Sequence, residues 1–130
     1  HIGGWKYGCN IKEKNEESIK DGALSYGKVI YYGNKYIGDL WCYGIDEINE
    51  KMAMLSIVIF EKELLGKGIG AQATKDFIKE VFNKYDVEKI GAFTYAFNDR
   101  SIGLLEKTGF SKIEIFIEDG IESIYLEKHR

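Results

Sequence analysis

The strand-forming segments of this chain are rich in Val, Ile, Tyr and Phe, and the hydrophobic pattern places them at residues 23–32, 35–43, 51–60, 89–97, 110–117 and 121–128. Gly33-Asn34 separates the first two segments and Asp119-Gly120 the last two, and both dipeptides predict tight hairpin turns. Residues 51–60 are almost continuously apolar, which is typical of a strand in the centre of a sheet. The pattern therefore predicts two hairpins with a buried central strand between them.

Helical periodicity occupies two of the intervening segments. Residues 11–21 are mainly polar and predict a short exposed helix that ends at Gly22. Residues 69–85 predict a longer amphipathic helix, because large apolar side chains recur at helical spacing while Lys, Asp and Glu occupy the other face. The apolar face of this helix carries Phe77, Ile78, Val81, Phe82 and Tyr85.

Length and composition limit the classes of protein to consider. The 130 residues are 45% hydrophobic and 30% charged, and we expect them to form a single domain over residues 1–130. Because the chain begins with His1 rather than Met, we allow for a missing N-terminal segment of this domain. The net charge of −3, without a basic patch, argues against nucleic acid as a partner. Apolar runs stay well short of the roughly 20 residues of a membrane span, so we expect no membrane association.

Cysteine and histidine usage limits the chemistry further. Cys9 and Cys42 do not have the spacing of a metal site or of a disulfide framework. We expect both to be free thiols in a reducing compartment, which favours a cytoplasmic protein. The histidines, His1 and His129, lie at the two chain ends, so we expect neither a His-based catalytic triad nor a metal site.

The glycine-rich segment at residues 65–71, Leu-Gly-Lys-Gly-Ile-Gly-Ala, is the most informative motif. It lies between the apolar strand and the amphipathic helix, and this arrangement presents backbone N–H groups and a helix N-terminus to an anionic phosphate. Glycine, which has no Cβ, allows the phosphate to approach the backbone closely. The spacing is neither that of a P-loop nor that of a dinucleotide fingerprint. The glycines alone also leave open a flexible loop without a ligand.

A second motif coincides with a short helix that we predict from Asn98, a good N-cap residue, to Lys107, with Gly109 as its C-terminal glycine. The spaced positions of this motif are Asn98, Ser101, Leu104, Lys107, Gly109 and Phe110. With both motifs in this order, residues 23–128 resemble the GNAT superfamily of acyl-CoA-dependent N-acetyltransferases. Ser101 and the segment Lys67-Gly68-Ile69-Gly70 are most similar to the branch that acetylates the N-terminal amines of ribosomal and other proteins.

The resemblance implies an α/β GNAT fold, in which helices flank a mixed, mostly antiparallel twisted sheet. This sheet would be splayed between the strands that end near Phe60 and Phe97. The implied activity is N-acetyl transfer from acetyl-CoA, as a cosubstrate, to a primary amine by direct attack in a ternary complex. A non-catalytic acyl-CoA-binding or sensing module is the alternative, and an interaction domain with an empty site is a third interpretation.

The resemblance also implies roles for individual residues. Backbone groups near Val58 and Phe60 would pair with the pantetheine arm, and the Val58 N–H would stabilise the developing oxyanion. Ser101 would donate a proton to the leaving thiolate; the alternative for this residue is a role in local capping of the helix. The implied cofactor-binding residues are Val58, Phe60, Leu65, Gly66, Lys67, Gly68, Ile69, Gly70, Ala71 and Asn98.

Three departures from the family pattern affect these expectations. Leu65 replaces a polar Arg or Gln, so we expect weaker phosphate binding. Met54 replaces a general-base Glu, and Leu105 replaces the Tyr that protonates the thiolate. Either a remote base acts through water, with Asp39 and Asp46 as the candidates, or the amine has to arrive deprotonated.

The acceptor stays open between a small-molecule and a peptide amine, and a homodimer is one oligomeric state that we allow for. Tyrosines in the first hairpin are expected either to line an acceptor cleft or to pack against neighbouring side chains; they are Tyr31, Tyr32, Tyr36 and Tyr43.

Overall fold

The computed structural model describes residues 5–9, 24–59 and 68–130. In chain order the elements are β1 (Trp5–Cys9), β2 (Leu24–Tyr32), β3 (Lys35–Asp46), β4 (Met52–Ile59), α1 (Ile69–Lys84), β5 (Lys89–Tyr95), α2 (Asp99–Lys107), β6 (Ser111–Glu118) and β7 (Ile121–His129). The predicted helix over residues 11–21 lies outside the described residues. So do Phe60, Leu65, Gly66 and Lys67 of the predicted cofactor site.

The strands form one seven-stranded sheet in the order β1-β2-β3-β4-β5-β7-β6. Every neighbouring pair is antiparallel except β4 and β5, which run parallel because α1 connects them. The mixed, mostly antiparallel sheet that we predicted is therefore confirmed.

Both predicted hairpins are present. β2 and β3 pair from Tyr32 opposite Lys35, across a turn in which Gly33 has a φ of 64°. β6 and β7 pair from Glu118 opposite Ile121, and both turn residues between them have positive φ values, 51° for Asp119 and 77° for Gly120. Two central residues with positive φ are typical of the turn that matches strand twist, which is why Asp-Gly predicted this hairpin correctly.

The core lies between the sheet and α1. Phe77, Ile78 and Val81 of α1 are buried, as the helical spacing predicted, and the ring of Phe77 stacks on Tyr26 of β2 at 5.7 Å between centroids. Phe82 and Tyr85 are partly buried against the same core. No helix in the described ranges is long and apolar enough to cross a membrane.

The C-terminal residue fastens the end of α1 to the sheet. The Arg130 guanidinium donates hydrogen bonds of 2.7 to 2.9 Å to the carbonyl oxygens of Phe82, Tyr85 and Val87. A cation at a helix C-terminus also interacts favourably with the helix dipole. This contact holds α1 against the start of β5.

Candidate active site

β4 and β5 separate after a short paired segment. Their parallel pairing covers only Met52–Met54 of β4 and Lys89–Gly91 of β5, after which β5 continues to pair with β7 and β4 with β3. From Leu55 to Ile59, the β4 edge that faces β5 pairs with no strand in the described part of the chain. The predicted splay is thus confirmed, and the open edge of β4 can pair with an extended ligand.

A cavity of about 130 Å³ lies in this opening. Both strands and α2 contribute to its walls, which are formed by Tyr43, Leu55, Ser56, Ile57, Ala92, Phe93, Ser101 and Leu105. Leu105, which stands where the family has a proton-donating Tyr, is only 2% exposed and belongs to the core. The leucine therefore closes the inner wall of the cavity by packing and supplies no polar group.

The start of α1 has the properties of an anion-binding helix terminus. Gly68 precedes the helix with a φ of 79°, and it supplies no side-chain cap to the first turn. The first three N–H groups of an α-helix have no acceptor within the helix; the first helical hydrogen bond here joins the Gln72 N–H to the Gly68 carbonyl oxygen at 3.0 Å. The first turn also carries no acidic side chain. The backbone of Ile69, Gly70 and Ala71 can therefore accept a phosphate.

The N-terminus of α2 is organised by Asn98. Its side-chain oxygen accepts a hydrogen bond from the Ser101 N–H at 3.1 Å, which confirms the predicted N-cap. A contact of Asn98 with cofactor stays a prediction. Because Ser101 gives only its N–H to the cap, its side chain is not needed there. Ser101 is half-buried and borders the cavity between β4 and β5.

The structure separates the two candidate bases. Asp46 pairs with Met52, at the opposite end of the β3–β4 hairpin from Val58. Its carboxylate accepts hydrogen bonds from the N–H groups of residues 48–50, at 2.9 to 3.2 Å, and these bonds lower the pKa of Asp46. Asp46 is a loop-stabilising residue and a poor proton acceptor, which corrects the expectation for it.

Asp39, by contrast, lies directly opposite Val58 in the β3–β4 register, so both side chains lie on the same face of the sheet. The Tyr36 hydroxyl donates a hydrogen bond to Asp39 at 2.7 Å, and this bond to the carboxylate is the main cause that raises the pKa of Tyr36 to about 12. Asp39 as a base stays a prediction.

Met54, at the family's general-base position, is flanked by Tyr43 and Gly91 on the neighbouring strands. A Cβ on Gly91 would lie 2.6 Å from the Tyr125 hydroxyl oxygen and 3.0 Å from the Met54 sulfur. The absence of a side chain at residue 91 therefore lets Tyr125 lie beside Met54. Tyr125 in turn donates a hydrogen bond of 2.7 Å to Glu127.

Tyr43 is one of the four hairpin tyrosines that the sequence left open between lining a cleft and packing. Among the hairpin tyrosines, Tyr31 and Tyr36 contact each other with ring centroids 6.0 Å apart. Tyr43 instead lines the cavity with Ser101, and partial burial raises the pKa of its hydroxyl, which therefore stays protonated near neutral pH. Alternating tyrosines on a strand look alike in sequence, so only the tertiary structure identifies this one.

A second, larger cavity of about 390 Å³ opens beside the first and shares Ile57, Phe93 and Ser101 with it. Its remaining walls come from the end of β5, the start of α2 and the β6–β7 hairpin, through Thr94, Tyr95, Asn98, Phe116, Glu118 and Ser123. Ser101 thus lies at the junction of the two cavities.

Comparison with known proteins agrees with this geometry. The family model of the acetyltransferase (GNAT) domain matches residues 7–111. A chimera of spermidine N-acetyltransferase SpeG from Vibrio cholerae and hSSAT is similar in structure, with a TM-score of 0.74 at 21% sequence identity, over 91% of this chain and 74% of that chain. Among curated protein sequences, none matches significantly.

Two further solved structures are ribosomal-protein acetyltransferases. The ribosomal-protein-S5-alanine acetyltransferase from Vibrio fischeri has a TM-score of 0.76 at 22% identity, over 87% of this chain and 65% of that chain. RimL, an alpha-N-protein acetyltransferase in complex with coenzyme A, has a TM-score of 0.75 at 16% identity, over 90% of this chain and 68% of that chain. At these identities the likeness shows the fold, and it confirms the fold that the motifs implied.

Proposed function

The chain belongs to the GNAT acetyltransferase family, and from this premise we propose that it transfers the acetyl group of acetyl-CoA to a primary amine bound at the same time. The observation that carries the proposal is the opening between β4 and β5. β4 leads into the glycine motif, and β5 leads into α2, the helix that begins with the second motif. Ser101 of the second motif lines the cavity in this opening, and the chain continues from β4 towards the glycine motif.

The chain's own groups fit acetyl-CoA. The backbone N–H groups at Gly68, Ile69, Gly70 and Ala71 would hold the pyrophosphate, since the start of α1 is uncapped and lacks acidic side chains. The unpaired edge of β4 up to Val58 would hold the amides of the pantetheine arm as an added strand would. When bound, acetyl-CoA supplies an activated acetyl group.

The reaction forms the C–N bond of an amide and breaks the C–S bond of the thioester, so one proton leaves the amine and one reaches the sulfur. We assign the Val58 N–H to the oxygen that gains negative charge. Ser101 is the proposed proton donor to the sulfur, because it borders both cavities. Tyr43 lines the smaller cavity with it and is the competing donor. Asp39 would accept the amine proton through water.

The acceptor class is supported only at the level of an amine. The similar structures include enzymes that are named for spermidine, for ribosomal proteins and for aminoglycosides. A cytoplasmic location stays a prediction that rests on cysteine usage. Cys42 is a buried free thiol, which is consistent with that prediction.

Calorimetric titration with acetyl-CoA, followed by measurement of thiol release with a panel of primary amines, tests the proposal. We expect saturable binding and amine-dependent release of CoA. Binding without thiol release for any amine would overturn the enzymatic function and support the acyl-CoA-sensing alternative, which Met54 and Leu105 favour. Absence of acetyl-CoA binding would overturn both.

A further inference from the structure

Two large aromatic residues of β5, Phe93 and Tyr95, line the larger cavity. Ile90 and Ala92 of the same strand are buried in the core, and strand alternation turns Phe93 and Tyr95 away from it. Phe93 is 55% exposed and Tyr95 49% exposed, although both border a cavity next to the proposed reaction centre. Such large aromatic surfaces beside a cavity are typical of a binding site.

Aromatic rings form one wall of this cavity. Phe93 contacts Phe116 of β6 edge-to-face, with centroids 5.6 Å apart and an interplanar angle of 83°. Tyr95 extends the wall towards Asn98 and stacks on Phe97 at 5.2 Å. Exposed aromatic faces attract cations through the ring quadrupole, and they also cover the methylene groups of an alkyl chain.

Among the described residues that line the cavity, Glu118 is the only charged one. It ends β6 at the hairpin turn, and it is not among the residues that the larger cavity shares with the smaller one, which are Ile57, Phe93 and Ser101. Among the described residues, the Glu118 side chain forms neither an ion pair nor a hydrogen bond, and no Lys or Arg lines the cavity to neutralise it. The cavity therefore combines one negative charge with an aromatic wall of Phe93, Tyr95 and Phe116.

We propose that this cavity binds the acceptor, and that the acceptor is a linear diamine or polyamine. One amine lies at Ser101 as the nucleophile, the alkyl chain lies along Phe93 and Phe116, and a second ammonium group pairs with Glu118. This inference rests on the proposed acetyl transfer. An acceptor with a carboxylate in place of the second ammonium group would meet the like charge of Glu118 and is disfavoured.

Three six-carbon acceptors differ only in the distal group and test this assignment: 1,6-diaminohexane, 1-aminohexane and 6-aminohexanoate. We expect kcat/KM to fall in that order. Glu118→Gln should raise KM for the diamine about two- to fivefold, as expected for an exposed ion pair, with kcat little changed and the monoamine unaffected. Glu114→Gln is the matched control, because it removes the same charge from the same exposed strand without lining the cavity.

Calorimetric titration of 1,6-diaminohexane into the protein with CoA gives a readout that needs no turnover. Diamine binding that weakens in Glu118→Gln and not in Glu114→Gln supports the site even if acetyl transfer is absent, a result that would overturn only the proposed reaction. Equal kcat/KM for the three acceptors, or equal effects of the two Glu variants, would overturn the assignment. Preference for an aminoglycoside or a peptide N-terminus over every linear diamine would also overturn it.

Discussion

Ser101→Ala is the substitution that most directly tests the proposed chemistry. It removes the hydroxyl that borders both cavities and leaves the backbone in place. The N-cap survives, because Asn98 accepts its hydrogen bond from the Ser101 N–H and not from the hydroxyl. Alanine is also a better helix former than serine, by up to about 0.5 kcal/mol. The structure therefore predicts a folded variant of unchanged or slightly higher stability.

The expected kinetic loss follows from the leaving group. A thiol has a pKa near 8.5, so its thiolate leaves fairly well without a proton donor. We expect kcat to fall about 10- to 100-fold, or roughly 1.4 to 2.7 kcal/mol in activation free energy, at the lower end of general acid catalysis. Acetyl-CoA affinity should stay nearly constant, because the phosphate-binding groups lie on α1.

Steady-state thiol release, acetyl-CoA titration and thermal unfolding of three variants complete this test. Asn98→Ala is the control for the cap and should cost about 1 kcal/mol of unfolding free energy. Tyr43→Phe removes the competing donor from the smaller cavity. A Ser101→Ala protein with full kcat would refute the donor role, and a loss confined to Tyr43→Phe would transfer that role to Tyr43.

Three other perturbations test separate parts of the molecule. Gly68→Val places a Cβ at a φ of 79°, in space that is open towards the proposed phosphate. We expect the acetyl-CoA affinity, measured by calorimetry, to fall at least severalfold. The control Gly103→Ala in α2 should leave that affinity unchanged. The rate should rise through about pH 7–9, because an alkyl ammonium has a pKa near 10 and only the neutral amine reacts; a plateau complete by pH 6.5 would reveal a strong base. Arg130→Ala should lower the unfolding free energy by about 1–2 kcal/mol through three lost hydrogen bonds, while Arg130→Lys, which keeps the charge without the planar fork, should recover only part of it.

Local signals predicted the elements of this fold well because their causes are local. The turn at Asp119-Gly120 needs two residues that tolerate positive φ, and the cap at Asn98 needs a side-chain acceptor close to the N–H of Ser101. β5 ends at Tyr95, two residues before the predicted end, because the Asn98 N–H bonds the Tyr95 carbonyl and starts a turn. The residue at which a strand ends depends on such contacts, and hydrophobic periodicity does not indicate them.

The sequence by itself determined the order of the strands and helices from β2 to β7, the two hairpins, the apolar face of α1 and, through the paired motifs, the family. The tertiary structure decided how far β4 and β5 stay together, and hence that Ser101 and Tyr43 border one cavity although they are far apart in the chain. It also decided that Asp46 holds a loop while Asp39 lies opposite Val58, since register rather than residue type distinguishes the two carboxylates. Glu118 lines a cavity with Ser101 because of the strand order: β7 pairs with β5 on one side and with β6 on the other. No pattern along a single strand specifies that order.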